Sequence, residues 1–447
     1  MSRRISRTNL EAIKVRAEGA IASASRPMER SVKHNLGLDS GLSVVTKLTA
    51  LGSRLLVSCL GGHLLILPKN LSKISQDIDL AYPYSPIITA LNQEEIFAFS
   101  GYYGKPARII RLNLEGFSTW DESLPFEYDR PQLEVVNGRF LVYSDMLNNL
   151  QVYDAHKNRL LWKKTTHYGL SRFKTNDFAV YTCYRKVEDP KAARLFGALM
   201  LEDGSPIWGQ PSDLHFGDTD EVVVSNSAVY TKQNLITPAQ ADDQLLIYAY
   251  SAANGELIKT ISGISVEGEA HCLLTAAERF LFALISAGDY GRVSPALGIV
   301  DMDTNEVVGS LSHGKFLDRD KVPVCDTRRF QTIYPGFIGK RGDNVFATFS
   351  FPEIASIASY SLGGKSVAWH QSFPGWLAGN PVLWEDTIYA LGSDLESSTV
   401  LNALNTKDGS LKWSTTFNGL PGCAAPVIVG ERIFVAHGEH ISSVLID

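Results

Sequence analysis

Apolar and polar residues alternate in short runs along most of the chain, and Gly, Asn and Asp separate the runs. Six runs occupy equivalent places in successive segments: Phe140–Ser144, Ala228–Tyr230, Phe280–Leu284, Val345–Phe349, Thr387–Leu391 and Arg432–Ala436. They are rich in β-branched and aromatic residues, which is typical of strands. Helical periodicity is nearly absent after residue 40. The pattern therefore predicts an all-β chain.

A turn residue and a tryptophan recur four positions apart. The pairs are Gly116 and Trp120, Asn158 and Trp162, Gly204 and Trp208, and Gly409 and Trp413, while Ser361 and Trp369 keep a related eight-residue step. Two further copies keep the frame without the Trp and place Lys259 and Gly309 at that position. A weaker copy near the N-terminus has Ile74 at the equivalent position. The eight equivalent positions, 74, 120, 162, 208, 259, 309, 369 and 413, are 42 to 60 residues apart. This is the period of a four-stranded propeller blade and not of a helical solenoid.

The repeats predict a closed ring. A single four-stranded sheet cannot bury both of its faces, whereas a ring of such sheets stacks them face to face. Copies begin at residues 42, 85, 130, 169, 220, 270, 328, 380 and 425. The last copy reaches Asp447 with three strands, so we expect residues 31–40 to supply its outer strand. We predict a single propeller of eight, possibly nine, four-stranded antiparallel blades over residues 31–447.

The repeat resembles a known family. The stretch Leu401–Trp413 reads Leu-Asn-Ala-Leu-Asn-Thr-Lys-Asp-Gly-Ser-Leu-Lys-Trp. It resembles the PQQ-like (quinoprotein-type) β-propeller repeat, apolar-x-Ala-Leu-Asp-x-x-x-Gly-x-x-x-Trp, and the resemblance covers about residues 40–447. It implies a propeller, usually of eight blades, in which the Trp lies between neighbouring blades. Non-enzymatic intracellular members hold partner proteins, including bacterial toxins that they neutralise.

The resemblance leaves a PQQ- and Ca²⁺-dependent quinoprotein dehydrogenase as an alternative. Those enzymes often carry a vicinal disulfide, but no two of the five cysteines here are adjacent. Asp301 and Asp303 fall on the turn of a repeat, where Asp caps the backbone. His437 and His440 have the spacing of two metal ligands across a hairpin, but a zinc site needs three or four ligands. We therefore expect no cofactor, no metal and no catalysis.

Composition narrows the classes of function. Hydrophobic residues make up 45% and charged residues 20%, the balance of a globular protein. The net charge of −6 argues against a nucleic-acid partner. No apolar run approaches the ~20 residues that span a bilayer. The cysteines are scattered, and the first 30 residues lack the apolar core of a secretion signal, so we expect a cytoplasmic protein.

The N-terminal extension, residues 1–30, differs from the rest. Residues 1–33 hold eight basic and three acidic side chains. Thr8 and Glu11 have the spacing of a capping box. Leu10, Ile13, Ala17 and Ile21 then follow at helical spacing. We predict a short basic amphipathic helix over residues 8–22, which either covers the propeller's own surface or docks to a partner.

Function in such a ring is expected in its loops. The longest interval between Trp positions contains residues 315–329, which are dense in both charges. We predict a protein partner on one rim, bound by Asp318, Arg319, Asp320, Lys321, Arg328 and Arg329 and by the aromatic pair Tyr102 and Tyr103. The second alternative is a glycan-binding propeller that uses Tyr102, Tyr103 or Trp376.

Overall fold

The computed structural model describes most of the chain after residue 30. The described residues are 31–35, 45–59, 62–68, 76–80, 87–102, 105–115, 118–127, 132–144, 149–165, 173–185, 194–211, 222–225, 227–232, 244–265, 270–287, 294–311, 334–350, 354–393, 398–419, 424–437 and 440–446. All regular secondary structure within the described residues is β-strand, which confirms the all-β prediction. The predicted helix over residues 8–22 lies outside the described residues.

The strands form four-stranded antiparallel sheets, which we number as blades. Blade 1 is β2 (Val45–Leu51), β3 (Arg54–Cys59), β4 (His63–Pro68) and β5 (Gln76–Asp79). Blade 2 is β6 (Ile87–Ala90), β7 (Glu95–Tyr102), β8 (Lys105–Asn113) and β9 (Ser118–Glu127). Blade 3 is β10 (Gln132–Val136), β11 (Arg139–Ser144), β12 (Asn149–Asp154) and β13 (Arg159–Thr165). Blade 4 is β14 (Lys174–Thr175), β15 (Ala179–Arg185), β16 (Arg194–Met200) and β17 (Pro206–Pro211).

The second half repeats the arrangement. Blade 5 is β18 (Val223–Val224), β19 (Ala228–Lys232), β20 (Gln244–Ser251) and β21 (Leu257–Ser265). Blade 6 is β22 (Ala270–Ala277), β23 (Phe280–Ala287), β24 (Ser294–Asp301) and β25 (Glu306–Leu311). Blade 7 is β26 (Tyr334–Arg341), β27 (Asn344–Ser350), β28 (Ile354–Ser361) and β29 (Ser366–Pro374). Blade 8 is β30 (Val382–Trp384), β31 (Thr387–Ser393), β32 (Ser398–Asn405) and β33 (Leu411–Asn418). Blade 9 is β34 (Val427–Val429), β35 (Arg432–His437), β36 (His440–Leu445) and β1 (Ser31–Asn35).

The blades close into a ring. Each pair of successive blades shares a cluster of buried apolar side chains, and blade 9 shares one with blade 1. The second strands contribute to both sides because successive side chains on a strand point to opposite faces. On β35, Ile433 and Val435 face blade 8, whereas Phe434 and Ala436 face blade 1. The protein is a nine-bladed propeller. Of the two predicted blade counts, nine is correct, and the count of eight that is usual in the resembling family does not apply to this chain.

The N-terminal strand closes the ring as the sequence predicted. β1 pairs antiparallel with β36, from Ser31 opposite Val444 to Asn35 opposite His440. It takes the outer place in blade 9 that the fourth strand takes in every other blade. The first and last strands of the fold are thus hydrogen-bonded to each other, and opening the ring requires breaking that ladder.

Three buried tryptophans join one blade to the next. The indole Nε1 donates to a backbone carbonyl of the following blade in each case: Trp162 to Leu201 at 3.0 Å, Trp208 to Ala252 at 3.0 Å and Trp369 to Thr406 at 2.9 Å. Each ring lies against the turn glycine of that following blade, namely Gly204, Gly255 and Gly409. These glycines have φ of +70° to +72°, a left-handed conformation. The expected position of these Trp side chains between blades is confirmed.

The two copies without Trp join their neighbours differently. Lys259 of blade 5 pairs with Glu306 of blade 6, with Nζ and Oε1 3.1 Å apart. At the next interface Gly309 leaves space for Tyr360 of blade 7, whose hydroxyl would lie 2.9 Å from a Cβ at position 309. That hydroxyl is buried without a hydrogen-bond partner, and burial raises the pKa of Tyr360.

The strand order gives the ring two unlike rims. First and second strands, and third and fourth strands, are joined at one rim, here called the turn rim. The remaining connections lie at the opposite rim, here called the loop rim, because neighbouring strands are antiparallel. Every connection of eight residues or more is at the loop rim: 36–44, 166–173, 186–193, 212–222, 233–243, 312–333 and 419–426.

Closure by β1 makes a prediction about truncated chains. Removing residues 1–30 should leave the melting temperature nearly unchanged, because β1 remains. Removing residues 1–35 should lower it sharply or make the protein insoluble, because the unpaired edge of β36 becomes exposed. Thermal melting followed by circular dichroism compares the two chains. Equal behaviour of both truncations would contradict closure by β1.

The contact between a tryptophan and the next blade's glycine predicts a difference between two glycine substitutions. A Cβ at Gly255 would lie 2.3 Å from the ring of Trp208, whereas one at Gly342 meets no atom within 4 Å. Both glycines have positive φ, so Gly342→Ala controls for the backbone cost of ~1 kcal/mol. Gly255→Ala should cost a further ~1–3 kcal/mol from overpacking. Urea denaturation measures the free energy of unfolding of both variants. Equal losses would mean that the indole of Trp208 moves aside freely.

Candidate interaction surface

Of the predicted partner-binding residues, Tyr102 alone lies in the described part of the chain, at the loop rim. Tyr102 ends β7 in blade 2, and its backbone pairs with Lys105. Tyr103 and residues 318–329 lie outside the described residues. The strands that bound the latter segment, β25 and β26, meet the loop rim between blades 6 and 7. Blade 2 is four blades from both blade 6 and blade 7, so Tyr102 and the strands that bound residues 318–329 are on opposite sides of the ring.

Trp376 is a described aromatic residue of the loop rim, in the connection from β29 of blade 7 to β30 of blade 8. It follows β29 of blade 7, and the connection 312–333 leads into β26 of that blade. Its side chain is 42% exposed, unlike the buried repeat tryptophans. The sequence analysis assigned it only to the glycan alternative. The signal that distinguishes it is its place outside the repeat frame, between two glycines in Gly375-Trp-Leu-Ala-Gly379.

The backbone around Trp376 is held on both sides. Ser393 N donates to Trp376 O at 3.1 Å, and Ala378 N donates to Leu391 O at 2.8 Å. Gly375 has φ +82°, and a Cβ there would lie 2.1 Å from Ser393 O. The segment is thus fixed against the end of β31. A large aromatic side chain on a fixed backbone loses little conformational freedom when a partner binds it.

The histidine pair is structural. His437 and His440 face each other in the β35–β36 hairpin, which confirms the predicted hairpin, with ring centroids 5.7 Å apart. His437 is buried, with Nδ1 2.9 Å from Asn418 O and Nε2 2.8 Å from Ser442 Oγ. Because a carbonyl oxygen only accepts, Nδ1 donates to Asn418. The lone pair of His437 is then on Nε2, where it accepts from the Ser442 hydroxyl, so both ring nitrogens are engaged in hydrogen bonds.

Other candidate chemistry in the described part of the chain is also structural. Asp301 Oδ1 accepts from the backbone N of Asp303, the predicted capping role. No group of three or more metal-ligating side chains is found among the described residues. Burial raises the pKa of the Cys59 thiol to about 12, with Asp77 adding to the shift, so this thiol stays protonated at neutral pH. No described helix could cross a membrane.

A cleft of about 390 Å³ opens on the turn rim between blades 6 and 7, at the interface that has Gly309 in place of Trp. Lys340 Nζ is 2.7 Å from Glu278, and Arg279 is 3.4 Å from Asp301. Asp343 accepts from Ser361 Oγ at 2.7 Å and from Gly363 N, and these bonds lower the pKa of its carboxyl. The charges in the cleft are largely paired with one another, so a charged ligand would have to break existing contacts.

Comparison with known proteins identifies the fold. No family model matches the chain, and no curated protein matches its sequence. The C-terminal WD40 domain of Sif2 superposes with a TM-score of 0.51 and 11% identity, covering 93% of this chain and 99% of that domain. The computationally designed protein Ika8 gives 0.50 and 10%, covering 92% and 99%. A quinohemoprotein alcohol dehydrogenase from Pseudomonas putida HK5 gives 0.50 and 10%, covering 94% and 77%.

These similarities show the β-propeller fold alone. One of the matched proteins is an enzyme, one is a WD40 domain and one is a designed chain, so the fold does not select a function. The function of this chain has to be argued from its own surface.

Proposed function

We propose that the chain is a non-catalytic scaffold that binds a partner protein at the loop rim where blades 7 and 8 meet. The observation that carries the proposal is the exposed indole of Trp376 on a fixed backbone. Tryptophan is among the residues most enriched at the energetic centres of protein interfaces. The longest connection between described strands, 312–333, enters the neighbouring blade 7.

The charged segment indicates the chemistry of the partner. Residues 315–329 contain five basic and three acidic side chains, in a protein whose net charge is −6. A partner with an acidic surface would be attracted to this sector and repelled by much of the remainder. Such charges mainly set the association rate and its salt dependence, whereas the aromatic contact sets the lifetime of the complex.

The resemblance to intracellular PQQ-like propellers suggests two roles within this function. The chain would neutralise a toxin as its immunity protein, or it would hold a component of an assembly. Both roles place the protein in the cytoplasm. The partner that co-purifies from the native cell distinguishes them, because a toxin and an assembly component differ in activity once released.

Glycan binding is the second candidate, and the same exposed indole favours it, since sugars also stack on aromatic faces. A glycan-binding propeller should be retained on a polysaccharide column and released when Trp376, Tyr102 or Tyr103 is substituted. A chain that passes through such columns unretarded and captures a protein supports the scaffold instead.

Trp376→Ala should weaken partner binding by roughly 30-fold, about 2 kcal/mol, because the aromatic anchor is lost. The matched control is Trp384→Ala, since Trp384 is 44% exposed but lies on the turn rim of blade 8. Surface plasmon resonance with the captured partner measures both variants. If Trp384→Ala weakens binding by about this factor and Trp376→Ala leaves it unchanged, the partner lies on the turn rim.

We expect slower association with a smaller salt dependence when four residues are changed together to Glu: Arg319, Lys321, Arg328 and Arg329. Each charge should contribute less than ~1 kcal/mol to the binding free energy. Reversing the exposed turn-rim residues Lys157, Arg341, Lys365 and Lys407 is the control and should change neither. Stopped-flow association at several salt concentrations distinguishes them. An unchanged rate for the first variant would remove residues 319–329 from the interface.

A further inference from the structure

The cleft on the turn rim has no role in the proposed function, which concerns the opposite rim. It lies between blades 6 and 7, and its volume of about 390 Å³ is typical of sites that hold a small ligand. Phe280, Val308 and Leu362 supply apolar lining. The cleft therefore offers contact surface for an apolar body, and its polar groups decide which one fits.

One backbone carbonyl recurs at the same place in six blades. It belongs to the residue that directly follows the third strand, whose N–H donates to a backbone oxygen in the first turn of its own blade. Because this bond is repeated, the six residues are equivalent. They are Ala155, Leu201, Ala252, Met302, Leu362 and Thr406, in blades 3 to 8.

In five of these blades, a side chain of the preceding blade donates a hydrogen bond to the carbonyl. Arg111 Nη1 is 3.0 Å from Ala155 O, and the hydroxyl of Tyr230 is 3.2 Å from Met302 O. The other three donors are the indole N–H groups already described, which belong to Trp162, Trp208 and Trp369. The donor varies in chemistry while the acceptor keeps its place, so the acceptor is the constant part of these interfaces.

Leu362 is the exception among the six, and it lines the cleft. No hydrogen-bond donor to its carbonyl oxygen is found in the part of the chain that the structure describes. Blade 6 lacks all three kinds of donor, because the positions of the Trp, Tyr and Arg are held by Gly309, Phe282 and Ile299. Tyr360 does not supply the bond either, since its hydroxyl has no partner. An acceptor that the ring leaves unpaired therefore lies at the cleft.

The turn residue of blade 7 favours a phenol over an indole as the missing donor. Where the donor is Trp, the turn residue of the next blade is Gly, because a Cβ there would lie 2.3 to 2.7 Å from the indole ring. Blade 6 has Asn305 at this position, with φ +55°, and its donor is the phenol of Tyr230. Blade 7 has Lys365 there, with φ +47°. Blade 7 thus resembles blade 6, in which a phenol reaches the carbonyl beside a turn residue that has a side chain.

The charges of the cleft favour a neutral aromatic ligand. Lys340 pairs with Glu278 and Arg279 with Asp301, so an ionised ligand would have to displace one of these carboxylates. An aromatic ring displaces neither, and cations are attracted to the faces of such rings. Arg279 and Lys340 already lie over the ring of Phe280, at 5.1 and 5.7 Å from its centroid.

We propose that the cleft between blades 6 and 7 binds a neutral phenol. Its hydroxyl donates to the Leu362 carbonyl oxygen, and its ring packs against Phe280 and Val308. The phenol supplies from outside the bond that the preceding blade supplies elsewhere in the ring. A tyrosine side chain of another polypeptide and a free phenolic molecule share this chemistry.

A ligand series on the full-length wild-type chain tests the site. p-Cresol, which is the side chain of tyrosine, should bind, and p-methylanisole, which lacks the donor, should bind about 10-fold more weakly. Isothermal titration calorimetry measures the dissociation constants. Equal binding of the two probes, or no binding of p-cresol, would overturn the proposal. N-acetyl-tyrosine amide distinguishes the sources, because binding at least as tight as that of p-cresol supports a tyrosine side chain and weaker binding supports a free phenol.

Phe282→Tyr tests the site from within the chain. Phe282 holds the position in blade 6 that Tyr230 holds in blade 5, so the new hydroxyl should donate to the Leu362 carbonyl. The variant should therefore bind p-cresol about 10-fold more weakly than the wild type, at the level of p-methylanisole. Thermal melting checks that the variant is folded.

The matched control is Phe346→Tyr, the same change at the equivalent position of blade 7. Phe346 faces blade 8, where the Thr406 carbonyl already accepts from Trp369. This variant should bind p-cresol as the wild type does. A Phe282→Tyr chain with unchanged affinity would overturn the bond to Leu362, and so would a control that loses as much affinity.

Discussion

The fold depends on one constraint: each four-stranded blade has two apolar faces, and neither can stay in water. Residues on a single strand show it, since Ile433 and Val435 face one neighbouring blade while Phe434 and Ala436 face the other. Only a closed ring gives every such face a partner without leaving terminal blades exposed. The pairing of β1 with β36 follows from this, because it completes the one blade that the C-terminal strands leave unfinished.

At several interfaces one blade contributes the side chain and the next blade contributes the space that receives it. Where the usual side chain is missing, the surface above the interface changes as well. At three interfaces a tryptophan of one blade rests on the turn glycine of the next, and blade 4 provides the indole of Trp208 for one interface and Gly204 for another. Where blade 6 has Gly309 at the Trp position, Tyr360 of the next blade enters the space and a cleft opens on the turn rim. Lys340 of blade 7 pairs with Glu278 of blade 6 across that cleft. The loss of one side chain therefore changes both the interface and the rim above it.

The antiparallel order separates the two rims chemically. The long connections and Trp376 lie on one rim, and the turns that carry Phe178, Glu202 and Glu256 lie on the other. The backbone of Trp376 is fixed by Ser393, whose N–H donates to the Trp376 carbonyl oxygen. Side chains on such supports lose little freedom on binding.

The sequence alone determined the architecture, because strand alternation and the Trp spacing are local signals that recur in each copy. The copy starts at 42, 85 and 130 precede β2, β6 and β10 by two or three residues, and the strand from residues 31–40 closes the ring as predicted. The spacing of Gly204 and Trp208 did not show that they belong to different interfaces. The exposure of Trp376 was likewise decided by tertiary structure. Both depend on residues far apart in the chain, which only closure of the ring brings together.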